Sequence, residues 1–168
     1  MIDAAYAATM ARYNRWQNEN LYGAADGLDD AARRLDRGAF FGSIHGTLCH
    51  LLWGDRMWMH RFADIPRPEG AIPDSWAMVE NWEDLRTQRR DFDGVIVDWA
   101  MALGSAWLAE DMTWVSSGGD NQFTMPRSLL ITHFFNHQTH HRGQVHAMLT
   151  AAGARPGDTD LIFMPDSG

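Results

Sequence analysis

A chain of 168 residues, 45% hydrophobic and 21% charged, suits one globular domain with a sizeable core, so residues 1–168 read as a single domain. Its net charge of −8 argues against partners that need a basic surface, nucleic acid and anionic membrane among them, and its one cysteine, Cys49, excludes both an internal disulfide and cysteine-rich zinc sites. The first residues lack a basic segment followed by an apolar run, and no apolar stretch approaches the roughly 18 residues of a membrane span, so a cytoplasmic location is expected.

Four stretches read as long helices. The first covers residues 3–22, with Tyr6, Thr9, Tyr13, Trp16 and Asn20 on one mostly aromatic face. The second covers residues 43–62 and opens on Ser43, a good N-cap. Ile44, Leu48, Leu51, Trp58 and Phe62 line one side of it, with Asp55 among them, while Trp53 and Met57 lie elsewhere beside His50. A helix apolar on two faces belongs at the centre of a bundle. Residues 64–75 hold three prolines and a glycine and read as a crossover loop. The third helix is expected over residues 76–108, apolar at Trp82, Leu85, Phe92, Ile96, Trp99 and Leu103, with Arg89 as an interruption. Gly94 within it costs about 1 kcal/mol against alanine and marks a place for a kink or break. Residues 112–125 read as a small hairpin about a Gly118–Gly119 turn. Pro126 suits the first position of a fourth helix, which runs to residue 152 and is closed by Gly153. In the tail, the apolar residues 161–164 are expected to pack back on the body. The sum is an all-α four-helix bundle with a small hairpin before its last helix.

Five of the eight histidines fall between His133 and His146. Imidazole is the commonest transition-metal ligand, so this density points to a metal. At about 100° per residue, His133, His137 and His141 form one helical stripe with a drift of about 40° per step, and His140 lies about 60° from His137. His146 points elsewhere and is expected in solvent. The wheel leaves open which of His133, His140 and His141 joins His137. A catalytic zinc site takes three protein ligands and keeps one position open, and bundle sites draw ligands from facing helices. His50, in the apolar setting Thr47-Leu-Cys-His-Leu-Leu-Trp53, is the best third ligand, because a buried imidazole needs a partner. His45 and His60 are expected at the rim. The H-E-x-x-H motif is absent, and no glutamate has a histidine three residues on, which removes the di-iron bundle pattern. Asp55, on an apolar face, calls for a buried partner, Arg142 or Arg12, or else orients a ligand histidine.

Four segments carry a resemblance to the DinB (YfiT-like) family of metalloenzymes. They are Arg12-Tyr-Asn-Arg-Trp-Gln-Asn18, Ile44-His-Gly-Thr-Leu-Cys-His-Leu-Leu52, His133-Phe-Phe-Asn-His-Gln-Thr-His-His-Arg-Gly-Gln144 and Gly153-Ala-Arg-Pro-Gly-Asp-Thr-Asp-Leu-Ile162. The resemblance covers essentially the whole chain, and its His-x-x-His-His-Arg-Gly-Gln run is the specific part. It implies an up-down-down-up bundle, a homodimer, and a metal site made by His50, His137 and His141, with His140 a neighbour rather than a ligand. It also implies activities that include transfer of low-molecular-weight thiols, beside members with no known reaction.

Two functional classes follow. In the first, a divalent ion (Zn2+ foremost, with Ni2+ or Fe2+ as alternatives) sits on three imidazoles and activates water for hydrolysis or an external thiol for transfer. Cys49 is a poor nucleophile for either, and His133 and His140 are the nearest candidates for a general base. In the second class the bundle is a non-catalytic stress-related protein that holds a metal structurally or an apolar ligand among its aromatics. A fourth protein ligand would mark that second class. Substrate choice would lie in the loops near the metal, residues 64–75 and the hairpin.

Overall fold

The computed structural model of the chain describes residues 2–116 and 121–166. Helix α1 (Ala4–Asp26) starts where the Asp3 side chain accepts from the Tyr6 amide at 2.8 Å, which satisfies one of the four free N–H groups of a helix start. Its buried face is Ala7, Ala11, Asn14, Asn18, Leu21 and Ala25. Of the aromatic face read from the sequence, Tyr13 is buried while Tyr6 and Trp16 are half-buried.

A short helix α2 (Asp30–Arg34), capped by Asp29, follows and was not legible in the sequence. A tight turn over residues 37–42 comes next, with Gly38 and Gly42 at φ +77° and +72°. Helix α3 (Ile44–Ala63) begins at Ser43 as expected, its hydroxyl accepting from the Gly46 amide at 3.0 Å. Fifteen of its twenty residues are buried, so it is the central helix that its two apolar faces required. Gly46 is needed there because a Cβ would lie 2.6 Å from the Phe41 carbonyl oxygen.

The crossover ends in a 3-10 helix, Ile72–Ala77. Helix α4 (Trp82–Met101) is shorter at both ends than the expected 76–108. Asn81 caps its start by accepting from the Asp84 amide, and past Gly104 a separate helix α5 (Ser105–Ala109) takes over. Gly94 makes no break, and nothing lies within 4 Å of where its Cβ would be. Strands β1 (Asp111–Val115) and β2 (Gln122–Pro126) pair antiparallel with Trp114 opposite Phe123, which is the expected hairpin; the Gly118–Gly119 turn lies outside the described residues. Pro126 closes β2 and precedes helix α6 (Arg127–Ala151) instead of opening it. Gly153, at φ +83°, follows the helix as expected. The tail docks differently from expectation. Tyr13 and Gln17 of α1 donate to the carbonyls of Thr159 and Asp158, while Leu161, Ile162 and Phe163 remain exposed.

Side-chain pairs give the helix directions. Asn18 and Asp26 of α1 meet Asp93 and Arg86 of α4, so these helices are antiparallel. Tyr6 and Asn14 meet Phe135 and Arg142 of α6, so α1 and α6 run parallel. Helix α3 runs with α4 (Asp55 to Arg89, Phe62 to Trp99) and against α6 (His50 to His141, Phe62 to Phe134). The bundle is therefore up-down-down-up. A buried polar layer ties all four helices through Asp55, Arg89, Asp93, Asn14, Asn18, Gln138 and Arg142. Among the described residues, no helix is long and apolar enough to cross a membrane.

Candidate metal centre

Helix α3 carries His50 and the antiparallel α6 carries His137 and His141 to the same level of the bundle. One ring nitrogen from each falls within 4.8 Å of the others, and among the described residues this is the one such cluster of metal-capable side chains. His50 and His141 are 4% and 8% exposed, and His137 is half-buried.

Hydrogen bonds decide which nitrogens converge. Ser75, on the 3-10 helix, gives its one hydroxyl proton to the Ile72 carbonyl, so its Oγ accepts from His50 Nδ1 at 2.8 Å. Gln144 Oε1, an amide oxygen, accepts from His141 Nδ1 at 2.8 Å. Both rings are thereby left with a lone pair on Nε2. His50 Nε2 lies 3.3 Å from His137 Nε2. Two lone pairs so close repel unless a proton or a cation sits between them. His137 Nδ1 is buried without a protein partner among the described residues.

The electrostatics favour neutral imidazoles. Burial, then the neighbouring His141 and His137, lower His50 from 6.5 to about 3. Burial, followed by His141, His133 and His140, lowers His137 from 6.5 to about 3. His141 is also lowered by burial, partly offset by its bond to Gln144. All three present lone pairs at pH 7, as metal ligation requires. The donor set thus fits a divalent ion of the zinc type.

Shape supports the same arrangement. A Cβ at position 54 would lie 3.1 Å from His137 Cε1, so Gly54 makes room for that ring. Phe41, carried by the turn before α3, stacks on His50 with ring centres 3.7 Å apart and lies 5.5 Å from His141.

The remaining histidines separate clearly. His133 is exposed with its ring edge-on to Trp58, and His140 is exposed beside Gln144. His146 faces away from the cluster, half-buried, with Nε2 3.5 Å from the Gly157 carbonyl. His60 sits half-buried near the end of α3, bonded to the Ile65 carbonyl. His45 is not at the rim; it is 2% exposed and bonded to the Val79 carbonyl at 2.8 Å. Cys49 is buried and its thiol is pushed up to about 11 by that burial, so it is no nucleophile.

Asp55 corrects a pairing. Its partner is Arg89 of α4 at 2.7 Å, not Arg142 or Arg12, and Gln138 donates to its other oxygen at 3.0 Å. Arg142 instead donates to Asn14 and Thr139. Asp55 touches no ligand histidine; through Gln138 it anchors the helix segment that bears His137. Sequence reasoning missed Ser75, Gln144, Phe41 and Gly54. Gln144 had a signal, since it lies one turn after His141. The other three are brought to the site by packing alone.

Comparison with known proteins identifies the family and the fold. The family model described as "DinB family" matches residues 1–167. The chain is 24% identical over 170 residues to the protein named "Protein DinB" of Bacillus subtilis (strain 168), across 95% of each. Its fold is similar to that of a DinB-like protein from Bacillus cereus ATCC 10987, with a TM-score of 0.62, 17% identity, and coverage of 85% of this chain and 90% of that one.

Proposed function

Since the chain belongs to the DinB family, we propose that it is a metal-dependent enzyme that holds a divalent cation on His50, His137 and His141 and keeps one coordination position for its reactant. The observation that carries this is the 3.3 Å approach of two Nε2 atoms, one of which the Ser75 hydroxyl leaves without a proton. Zn2+ is the first choice, with Ni2+ and Fe2+ next. Such an ion, when bound, supplies a Lewis acid that turns a water or a low-molecular-weight thiol into a nucleophile at neutral pH. Water makes the protein a hydrolase, and a thiol makes it an S-transferase.

The chain's own residues do the positioning. Ser75 and Phe41 fix the plane of His50, and Gln144 fixes His141. His133 and His140 are exposed beside the cluster and are the side chains placed to carry a proton to or from solvent. Cytoplasmic location and a homodimer are part of the same proposal.

The second reading, a non-catalytic metal or ligand-binding bundle, needs a closed site. The cluster counts three metal-capable residues and no fourth among the described ones, which favours the open site. Metal analysis of protein purified without a histidine tag tests the proposal. One equivalent of metal per chain is expected, and His137→Ala should lose it while keeping the helical circular dichroism signal. Full occupancy in that variant would sink the assignment. A panel of low-molecular-weight thiols and activated esters then separates transfer from hydrolysis.

A further inference from the structure

Beside the histidine cluster lies an apolar hollow of about 570 Å³, within the size range of small-molecule pockets. Phe40, Phe41, Ile72, Pro73 and Trp76 form its walls. Two of those walls are fastened to the same metal-site histidine. Phe41 stacks on the His50 ring, and the 3-10 helix that bears Ile72, Pro73 and Trp76 bonds His50 through Ser75. Phe41 also approaches His141, so it flanks the side on which the ligand nitrogens converge. A larger cleft of about 870 Å³ exists, lined by Arg56, Glu69, Asp74, Glu80 and Asp84. That cleft meets the centre at His50, through Ser75 and through Trp53, whose ring lies 6.2 Å from it, whereas the hollow's Phe41 approaches both His50 and His141.

The hollow offers little to a charged ligand. Arg34 at its mouth is taken by Asp30 at 2.8 Å and by the Glu80 carbonyl. Asp36 accepts from the Gly38 amide at 2.9 Å and adds only negative charge. The turn that carries Phe40 and Phe41 is held by backbone bonds between Arg37 and Gly42 and between Gly42 and Ala39, and by its close fit over Gly46.

We propose that this hollow is the substrate subsite of the three-histidine centre, taking the flat, uncharged apolar body of a molecule whose ligating head reaches the metal, with Phe40 and Trp76 setting specificity. It rests on the metal reading given above. The test uses the cobalt(II)-loaded full chain and follows the visible bands of the metal during titration with imidazole or with phenylimidazole. The ligating heads are alike, so only the phenyl ring differs. Phenylimidazole should bind about tenfold more tightly or better. The double variant Phe40→Ala, Trp76→Ala should lose that advantage with its imidazole affinity unchanged. These side chains are 79% and 53% exposed, so truncating them leaves the core intact. In parallel, metal-free protein is titrated with neutral N-phenylnaphthylamine, whose fluorescence should rise with the wild type and stay low with the variant. Equal affinities for the two imidazoles, an advantage that survives both truncations, or no naphthylamine signal each overturn the proposal. A chain that takes up no cobalt defeats the metal reading, and with it the role of the hollow, whatever the naphthylamine reports.

Discussion

At His137 the ring carbon Cε1 sits where a side chain at Gly54 would begin, 3.1 Å from the position of its Cβ. Gly54→Ala should therefore push His137 out of line and weaken metal binding roughly tenfold, the effect of losing ligand support. Competition with a chromogenic chelator measures it, and unchanged affinity would show that the ring can shift freely. Ser75 acts on His50 from the other side. Removing its oxygen in Ser75→Ala frees the His50 ring and its tautomer, with an expected loss of about 10–100-fold in metal affinity. The thermal midpoint should move far less than the affinity. Of these residues, only the histidines were legible in the sequence. Ser75 is 25 positions from His50, on a 3-10 helix that the sequence showed only as a crossover loop, and Gly54 is one unmarked residue in an apolar helix.

Helix starts were readable because capping is local. Ser43 is followed by an apolar run, and its hydroxyl does meet the Gly46 amide. Ser43→Ala should cost about 1 kcal/mol in chemical denaturation and leave the metal stoichiometry unchanged. The bounds of α4 were less readable. Its apolar spacing continues past Met101 to Leu103, while the capping carbonyl of Asn81 and the stop before Gly104 depend on how the chain turns. The inner face of α1 was less readable too, because Ala7, Ala11 and Ala25 are buried there beside Tyr13, Leu21 and Tyr22, and apolar periodicity does not mark small residues.

Across the whole bundle, charge is buried as well as apolar surface. Arg89 is 2% exposed, bonded to Asp55 and paired with Asp93 at 2.8 Å. Its Nη2 hydrogens do not point at that Asp93 oxygen, so the second contact is an ion pair only. Arg89→Ala leaves two buried carboxylates without their cation and should cost about 3–5 kcal/mol, measured by urea unfolding. The pH dependence has two opposing parts. Burial raises Asp93 from 3.8 to about 6, so the folded state holds that proton more tightly and the group's contribution falls as pH rises from about 4 to 6. His50 and His137 are lowered from 6.5 to about 3, so the unfolded chain binds those protons first and stability rises with pH from about 3 to 6.5. Burial raises Asp55 as well and lowers His45, His133 and His141, so five histidines stand against two aspartates. Metal-free protein should therefore melt at lower temperature at pH 5 than at pH 7, read by scanning calorimetry. Protonation also competes with the cation, so added metal should steepen that dependence. A melting temperature that rises on acidification would contradict this account.

The sequence by itself determined the four long helices, the Ser43 cap, the hairpin and, through a family motif, the three histidines that cluster, because each is marked by local spacing or by that motif. Only the tertiary structure decided that Asp55 pairs with Arg89, that Ser75 and Gln144 set the imidazole tautomers, and that Phe41 covers His50. Three of those contacts join residues on different elements, with separations set by packing, and a linear pattern carries no record of them. The histidine run therefore marks where a metal could sit, and the surrounding fold holds the rings in a state fit for one.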